Sequence, residues 1–165
     1  MSILIAYGGK YGTSRKCAEI LADLLPDASV VDLKKTKQPD ISAFDAIIIG
    51  GSIHYGLLNR SVKNFVIRNV QLLREKITAY YVCCGFADSA EQYFSTNFPK
   101  LALEYACAKE CFGGELITDL MSKFDRFVLK AVTSNTEIKK EKKTPLIDMD
   151  ALNRLADEIK SKLNI

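Results

Sequence analysis

Short apolar runs alternate with amphipathic stretches along this chain. Five of the runs have the length of strands that are buried in a sheet. We predict strands over residues 2–7, 28–32, 45–50, 77–84 and 109–116. Apolar residues also recur every three to four positions, which predicts helices over residues 17–25, 62–73, 89–106, 119–132 and 152–163. Pro26 ends the first helix, and Asp148 or Asp150 begins the last one.

Strands that alternate with helices predict right-handed crossovers and a mostly parallel sheet. We therefore predict an α/β fold with one domain over residues 1–165, in which helices cover both faces of a doubly wound, five-stranded parallel sheet. The strand order 2-1-3-4-5 accommodates these elements. Ligands of such a sheet bind beyond the carboxyl ends of the strands, where the strand order reverses. The candidate binding loops are therefore those after the first, third and fourth strands.

The loop after the first strand has the composition of a phosphate-binding nest. Gly8, Gly9 and Gly12 are small enough to let backbone N–H groups converge on an anion. Thr13 and Ser14 add hydroxyl donors at the start of a helix, where the helix dipole favours negative charge. The same residues also suit a plain connecting turn. In a nest, we expect a Cβ on Gly12 to crowd the anion and to disfavour a positive φ.

The loops after the third and fourth strands combine aromatic side chains with small residues, which suits a planar aromatic ligand. Ring faces come from His54, Tyr55 and Phe86. Close approach of the backbone to a ligand is allowed at Ser52, Gly56 and Gly85. Together with the first loop, this pattern predicts a ligand that has both a phosphate and a flat ring system.

Two further stretches of the chain are distinctive: Ile-Gly-Gly-Ser-Ile-His-Tyr-Gly at residues 49–56 and Phe-Asp-Arg-Phe-Val-Leu-Lys at residues 124–130. With them the chain resembles the flavodoxin family, and within it the menaquinone-dependent protoporphyrinogen IX dehydrogenases. The order of strand, phosphate loop and helix is similar as well, and the resemblance covers nearly the whole chain. It implies a flavodoxin-like fold with FMN as the cofactor.

The resemblance also implies a role for three groups of residues. The FMN phosphate would be surrounded by Gly9, Lys10, Tyr11, Gly12, Thr13 and Ser14. One side of the isoalloxazine would be lined by Ser52, Ile53, His54, Tyr55 and Gly56. The other side would be flanked by Cys84, Gly85 and Phe86.

Two departures from the family pattern affect these expectations. Flavodoxins usually have Ser or Thr where Gly8 and Gly9 stand, so fewer hydroxyls face the phosphate here. His54 stands where the resembled dehydrogenases have Arg, which leaves the electron partner open. His54 is also the candidate proton relay, since imidazole exchanges protons near neutral pH, although a solvated or hydrogen-bonded loop histidine is the plainer interpretation.

The cysteines and the apolar runs bear on the environment of the protein. Cysteines occur at Cys17, Cys83, Cys84, Cys107 and Cys111. An odd number of them without a leader segment predicts reduced thiols in a cytoplasmic protein, or in one that lies peripherally at the inner face of the membrane. No apolar run is as long as a membrane span. Cys107 and Cys111 lie four apart, but no second Cys/His pair accompanies them, so we expect no metal.

Positive charge is concentrated in one part of the chain. The net charge is +3, and residues 120–143 alone contribute +4, from seven Lys and Arg against three acids. This segment is interpreted either as the solvated face of a helix and a loop or as a docking site. A docked partner would be an acidic redox protein, the carboxylates of a porphyrin or an anionic membrane surface. We expect no nucleic-acid partner.

The charge also bears on the choice between an enzyme and an electron carrier. Flavodoxin carriers usually present an acidic face, whereas this chain is mildly basic. The sequence therefore favours an oxidoreductase of the protoporphyrinogen dehydrogenase type, an activity of heme biosynthesis. It would pass electrons from an organic reductant through FMN to a quinone or a protein acceptor. The alternative is a non-catalytic flavodoxin that only carries electrons.

Overall fold

The computed structural model describes residues 1–85, 87–114 and 147–165. Its strands are β1 (Ile3–Gly8), β2 (Ala28–Asp32), β3 (Ala46–His54), β4 (Leu57–Leu58), β5 (Ile77–Cys83) and β6 (Ala106–Cys111). Its helices are α1 (Thr13–Leu24), α2 (Arg60–Leu73), α3 (Ala90–Asn97), α4 (Lys100–Glu104) and α5 (Met149–Leu163). The predicted helix over 119–132, the basic segment 120–143 and Phe86 lie outside the described residues.

The sheet has the predicted order of parallel strands. Strands β2, β1, β3, β5 and β6 are neighbours in that order, which is 2-1-3-4-5 when the two-residue strand β4 is left out of the numbering. The order reverses between β1 and β3, with Ile5 beside both Val30 and Ile48. The loops that follow β1 and β3 therefore leave the sheet next to each other, at the edge where ligands of doubly wound sheets bind.

Two hydrophobic layers enclose the sheet, because the inner strands are apolar on both faces. Residues 46–51 of β3 are all buried. One layer packs the sheet against α1 and α5, and it includes Ile5, Ile48, Leu21 and Leu155. The other packs it against α2, α3 and α4, and it includes Leu4, Ile47, Phe65, Phe94 and Ala102. This arrangement confirms helices on both faces of the sheet.

The third strand is longer than predicted, so part of a predicted loop belongs to the sheet. Strand β3 continues through Ser52 and His54, because Ser52 still pairs with Cys83 of β5 and His54 pairs with Leu57 of the antiparallel strand β4. Residues 51–54 therefore belong to the sheet and are held by its hydrogen bonds, and they do not form a free loop.

Two other element boundaries were also wrong. The helix predicted over 89–106 is divided into α3 and α4, since Pro99 adopts an extended conformation at the start of α4. Strand β6 begins and ends earlier than residues 109–116, because Thr78 pairs with Ala106 and Val82 pairs with Cys111. Asp148 rather than Asp150 caps the last helix, and its carboxylate accepts from the backbone N–H of Ala151 at 3.0 Å.

Candidate functional site

The loop between β1 and α1 forms the first wall of the candidate site. Gly12 precedes the helix with φ 92° and ψ −18°, a left-handed conformation, and among the described residues no side chain caps α1. The hydroxyl of Tyr81 donates to the carbonyl oxygen of Ser14 at 3.1 Å, which ties the start of α1 to β5. Burial raises the pKa of Tyr81 well above its ordinary value, so this hydroxyl stays protonated as the donor.

Two buried serine hydroxyls face the same space beside this loop. Ser14 Oγ and Ser52 Oγ have no oxygen or nitrogen partner among the described residues, although both atoms are buried. Gly9 lies between them, because a Cβ built on Gly9 would be 3.0 Å from Ser14 Oγ and 3.7 Å from Ser52 Oγ. Buried hydroxyls without partners are costly, so their arrangement around a glycine indicates a place for a polar ligand.

The hairpin between β3 and β4 forms the second wall. Tyr55 and Gly56 turn the chain with φ values of 51° and 78°. Asn97 of α3 fixes this hairpin through two hydrogen bonds. Its Oδ1 accepts from the N–H of Leu58 at 2.8 Å, and its Nδ2 donates to the carbonyl oxygen of Gly56 at 3.0 Å. Asn97 is only 3% exposed, and its hydrogen bond with Leu58 is buried while the one with Gly56 is partly buried.

The segment after β5 forms the third wall. The backbone N–H of Cys84 donates to the carbonyl oxygen of Gly113 at 2.8 Å, which extends the β5–β6 pairing by one step. Gly114 then packs directly on the Cys84 backbone, where a Cβ would be 3.3 Å from the carbonyl carbon. The loop carrying Cys84 and Gly85 is thereby held next to the end of β6.

The three walls border one open cleft. Its lining is Lys10, Tyr11, Thr13, Ser14, Ser52, Ile53, His54, Cys83, Cys84, Gly85 and Gly114. The structure thus brings together most of the predicted site residues. Gly9 lies beside Ser14 and Ser52 but is not part of the lining, and Gly12, Tyr55 and Gly56 are outside it as well. Phe86 is outside the described residues.

A second, more open cleft adjoins the first and shares Lys10 and His54 with it. The remaining lining residues are Lys34, Tyr55, Leu57, Leu58, Asn59 and Arg60. Tyr55 and Leu57 are 63% and 62% exposed, so this cleft has an apolar rim beside three cationic side chains. Between the clefts, the rings of Tyr11 and His54 meet edge to face, with centroids 5.3 Å apart.

A family model of the flavodoxin domain matches residues 4–143 of the chain, which is most of its length. The chain belongs to the flavodoxin family. FMN is the cofactor of this family, and the fold, the clustering of loops and the family match agree with one another. Among the described residues, no helix is both long enough and apolar enough to cross a membrane.

Individual relatives of this flavodoxin-family chain are distant. Protoporphyrinogen IX dehydrogenase (quinone) of Escherichia coli strain K12 is 28% identical over 85 residues, which are 49% of this chain and 47% of that protein. The matched stretch thus spans about half the length of the curated relative. A flavodoxin of Streptococcus pneumoniae TIGR4 has a TM-score of 0.56 at 17% identity, over 98% of this chain and 99% of its own. The rubredoxin oxygen:oxidoreductase of Desulfovibrio gigas has a TM-score of 0.50 at 14% identity, and the match covers 96% of this chain and 37% of that one.

The residues of the first cleft fit FMN. A phosphate between Ser14 and Ser52 would satisfy both buried hydroxyls, and Gly9 leaves the room that a Cβ would fill. Ser14 lies in the first turn of α1, where unpaired backbone N–H groups and the positive end of the helix dipole favour an anion. From there the cleft extends past His54 to Gly85, which gives a ring system a path along the carboxyl edge of the sheet.

Three residues near the cleft were missed by sequence reasoning. Asn97 supports the hairpin, Gly114 lines the cleft, and Cys111 contacts Cys84 from the neighbouring strand. Pro99 marks the end of the helix that carries Asn97, but nothing in the pattern indicates a contact with residues 56–58. Each of these roles depends on a contact between residues far apart in the sequence.

Proposed function

We propose that this chain is an FMN-dependent oxidoreductase of the protoporphyrinogen dehydrogenase type, which oxidises a flat organic reductant bearing carboxylates and reduces a quinone or a protein. The observation that carries the proposal is the second cleft. Its apolar residues Tyr55 and Leu57 suit a flat ring system, and Lys34 and Arg60 suit its carboxylates. The distant match to a protoporphyrinogen IX dehydrogenase supports the same class of substrate.

Each wall of the first cleft has its own task in this proposal. Gly9, Ser14 and Ser52 would hold the phosphate, while His54 and Gly85 would flank the ring system. When bound, FMN would supply the electron-transfer chemistry of this cleft. The hairpin held by Asn97 keeps the second cleft next to the first, so that a reductant bound there would lie beside the flavin.

His54 is the residue we propose for proton handling, because it belongs to both clefts. Oxidation of a porphyrinogen releases protons together with electrons, so a group that exchanges protons near neutral pH is useful at the junction. The edge-to-face contact with Tyr11, with ring centroids 5.3 Å apart, restricts the orientation of the His54 ring.

The test measures anaerobic oxidation of protoporphyrinogen by the FMN-loaded protein with a menaquinone analogue as acceptor. We expect the double variant Lys34→Ser/Arg60→Ser to raise KM at least fivefold while the FMN dissociation constant stays unchanged, since only the second cleft loses its cations. Arg68→Ser, an exposed cation of the same helix as Arg60, is the matched control and should keep the parent KM.

An outcome without turnover would favour the electron carrier. In that case the FMN-loaded protein would still exchange electrons with a small redox protein, but neither the porphyrinogen nor its analogues would change the flavin absorbance. Equal KM values for the parent and the double variant would contradict the assignment of the second cleft.

A further inference from the structure

Two cysteines meet at the carboxyl edge of the sheet, beside the first cleft. Cys84 follows β5, Cys111 ends β6, and their sulfur atoms are 3.3 Å apart. All five cysteines lie in the described part of the chain and are thiols in this structure. Since a disulfide is about 2.05 Å long, closing this pair requires the sulfurs to approach by about 1.3 Å.

We propose that Cys84 and Cys111 form a thiol–disulfide exchange site whose substrates are small disulfides of the glutathione type. The backbone between them is already tied, because the Cys84 N–H donates to Gly113 at 2.8 Å and the Phe112 N–H donates to Val82 at 3.0 Å. Side-chain rotation can therefore close the bridge while the strands keep their pairing. The inference does not depend on the proposed porphyrinogen chemistry.

The surroundings of Cys111 identify it as the attacking thiol. Hydrogen bonding from the Cys84 thiol, helped by the backbone N–H groups of Gly113 and Cys84, lowers the pKa of Cys111 to about 7, against the opposing effects of burial and of Asp148. The residue is partly exposed, whereas Cys84 is only 6% exposed. A partly exposed thiol that is ionised near neutral pH is the reactive kind.

The other three cysteines are less suited to attack a disulfide than Cys111 is. Cys17 and Cys83 also face each other, at 3.8 Å, but both are buried, and the hydrogen bond with Cys17 together with burial raises the pKa of Cys83. Cys107 is partly exposed, yet burial of its sulfur raises its pKa, and no other cysteine is in contact with it among the described residues. They provide internal controls for reactivity.

The exchange proceeds in two balanced steps. The Cys111 thiolate attacks one sulfur of the small disulfide, which forms a mixed disulfide and releases one small thiol. Cys84 then loses its proton and attacks the Cys111 sulfur, which forms the Cys84–Cys111 bond and releases the second small thiol. The dithiol of the protein gives up two electrons and two protons, and the small disulfide is reduced to two thiols.

The test exposes the reduced, FMN-loaded protein to glutathione disulfide without oxygen, quenches it with acid, and alkylates the remaining thiols after unfolding. We expect loss of two alkylations out of five without added glutathione mass, and a Cys84–Cys111 peptide after digestion. The reaction rate should rise with pH through about 7, as the Cys111 thiolate forms.

Single variants separate the two roles. Cys84→Ser should retain one glutathione on Cys111, because the resolving thiol is gone, and Cys111→Ser should slow thiol loss severalfold. The ionised fraction at pH 7 is roughly half for a pKa near 7 against about 3% for an ordinary thiol, and the greater nucleophilicity of the more basic thiolate offsets part of that difference. Cys107→Ser is the control and should react like the parent.

Three results would overturn the proposal. They are a Cys17–Cys83 bridge, glutathione on Cys107 alone, and retention of all five thiols under conditions that oxidise a free dithiol. Each is read from the same digest, so a variant that fails to fold leaves the parent experiment decisive.

Discussion

Gly12 has a backbone conformation that most side chains disfavour. With φ at 92°, replacement by Val imposes strain, although a Cβ there would have no heavy atom within 4 Å. No protein atom would crowd that Cβ, so backbone strain is the effect that the structure itself predicts. We expect Gly12→Val to weaken FMN binding by about 1–3 kcal/mol, measured by quenching of flavin fluorescence.

The control for Gly12→Val is Gly12→Asn, because Asn tolerates the left-handed region better than other residues. It should keep most of the affinity that Val loses. Equal dissociation constants for Gly12→Val and the parent would show that the loop only connects β1 to α1.

Asn97 stabilises the hairpin of the site from a buried position. Replacement by Ala leaves the Leu58 N–H and the Gly56 carbonyl without their partner. We expect Asn97→Ala to lower the free energy of unfolding by about 1–3 kcal/mol and to weaken FMN binding as the hairpin loosens. Urea unfolding and flavin fluorescence measure the two effects.

Ser95→Ala on the same helix is the matched control, since the Ser95 hydroxyl is exposed and donates to the Gln92 carbonyl of its own helix. It should leave both quantities within a few tenths of a kcal/mol of the parent, as surface substitutions usually do. If Asn97→Ala is as stable as the parent protein and binds FMN with the same affinity, Asn97 does not position the hairpin.

At the scale of elements, contact between β3 and β5 depends on the absence of a side chain at Gly50. A Cβ there would overlap the ring of Tyr81, and that ring also stacks on Phe112 with centroids 4.7 Å apart. We expect Gly50→Ala to destabilise the protein by about 1–3 kcal/mol through overpacking. Urea unfolding measures the change.

A double-mutant cycle tests whether the Tyr81 ring is the cause. Tyr81→Leu makes room beside residue 50, so the combination with Gly50→Ala should cost at least 0.5 kcal/mol less than the sum of the single changes, roughly the lower bound for coupled neighbours. If the costs of the two substitutions are additive, the Tyr81 ring is not the cause of the destabilisation by Gly50→Ala.

At the scale of the whole molecule, the uneven distribution of charge predicts binding to anionic partners. Converting Lys139, Lys140, Lys142 and Lys143 to Ser removes the excess charge of residues 120–143. We expect this variant to bind anionic vesicles at least tenfold more weakly than the parent at low salt, with FMN binding unchanged, because each such lysine contributes about 1 kcal/mol near an anionic surface. Vesicle sedimentation measures the binding.

Attraction between exposed charges is screened, so vesicle binding by the parent should also fall as salt rises. The charge-matched control converts four exposed cations elsewhere, Lys35, Lys37, Arg68 and Lys100, to Ser. If the control loses as much vesicle affinity as the variant, net charge rather than the segment is responsible.

The sequence alone was sufficient to predict the order of the strands and the edge of the sheet that holds the site. Runs such as Ile47–Ile49 are apolar at every position, which requires a strand covered on both faces, and this pattern depends only on neighbours in the chain. Strand order then places the loops after β1, β3 and β5 together, so Ser14, Ser52 and Gly85 could be grouped without coordinates.

Contacts between distant residues decided the rest. Gly51 was assigned to a loop from the sequence, but it is a strand residue that packs against Val62, next to Gly50 under the Tyr81 ring. Asn97 reaches Leu58 across 39 positions, and Cys84 meets Cys111 across 27. Periodicity reports which face a residue occupies within its own element, whereas packing of one element on another determines which residues meet, and only the tertiary structure contains that information.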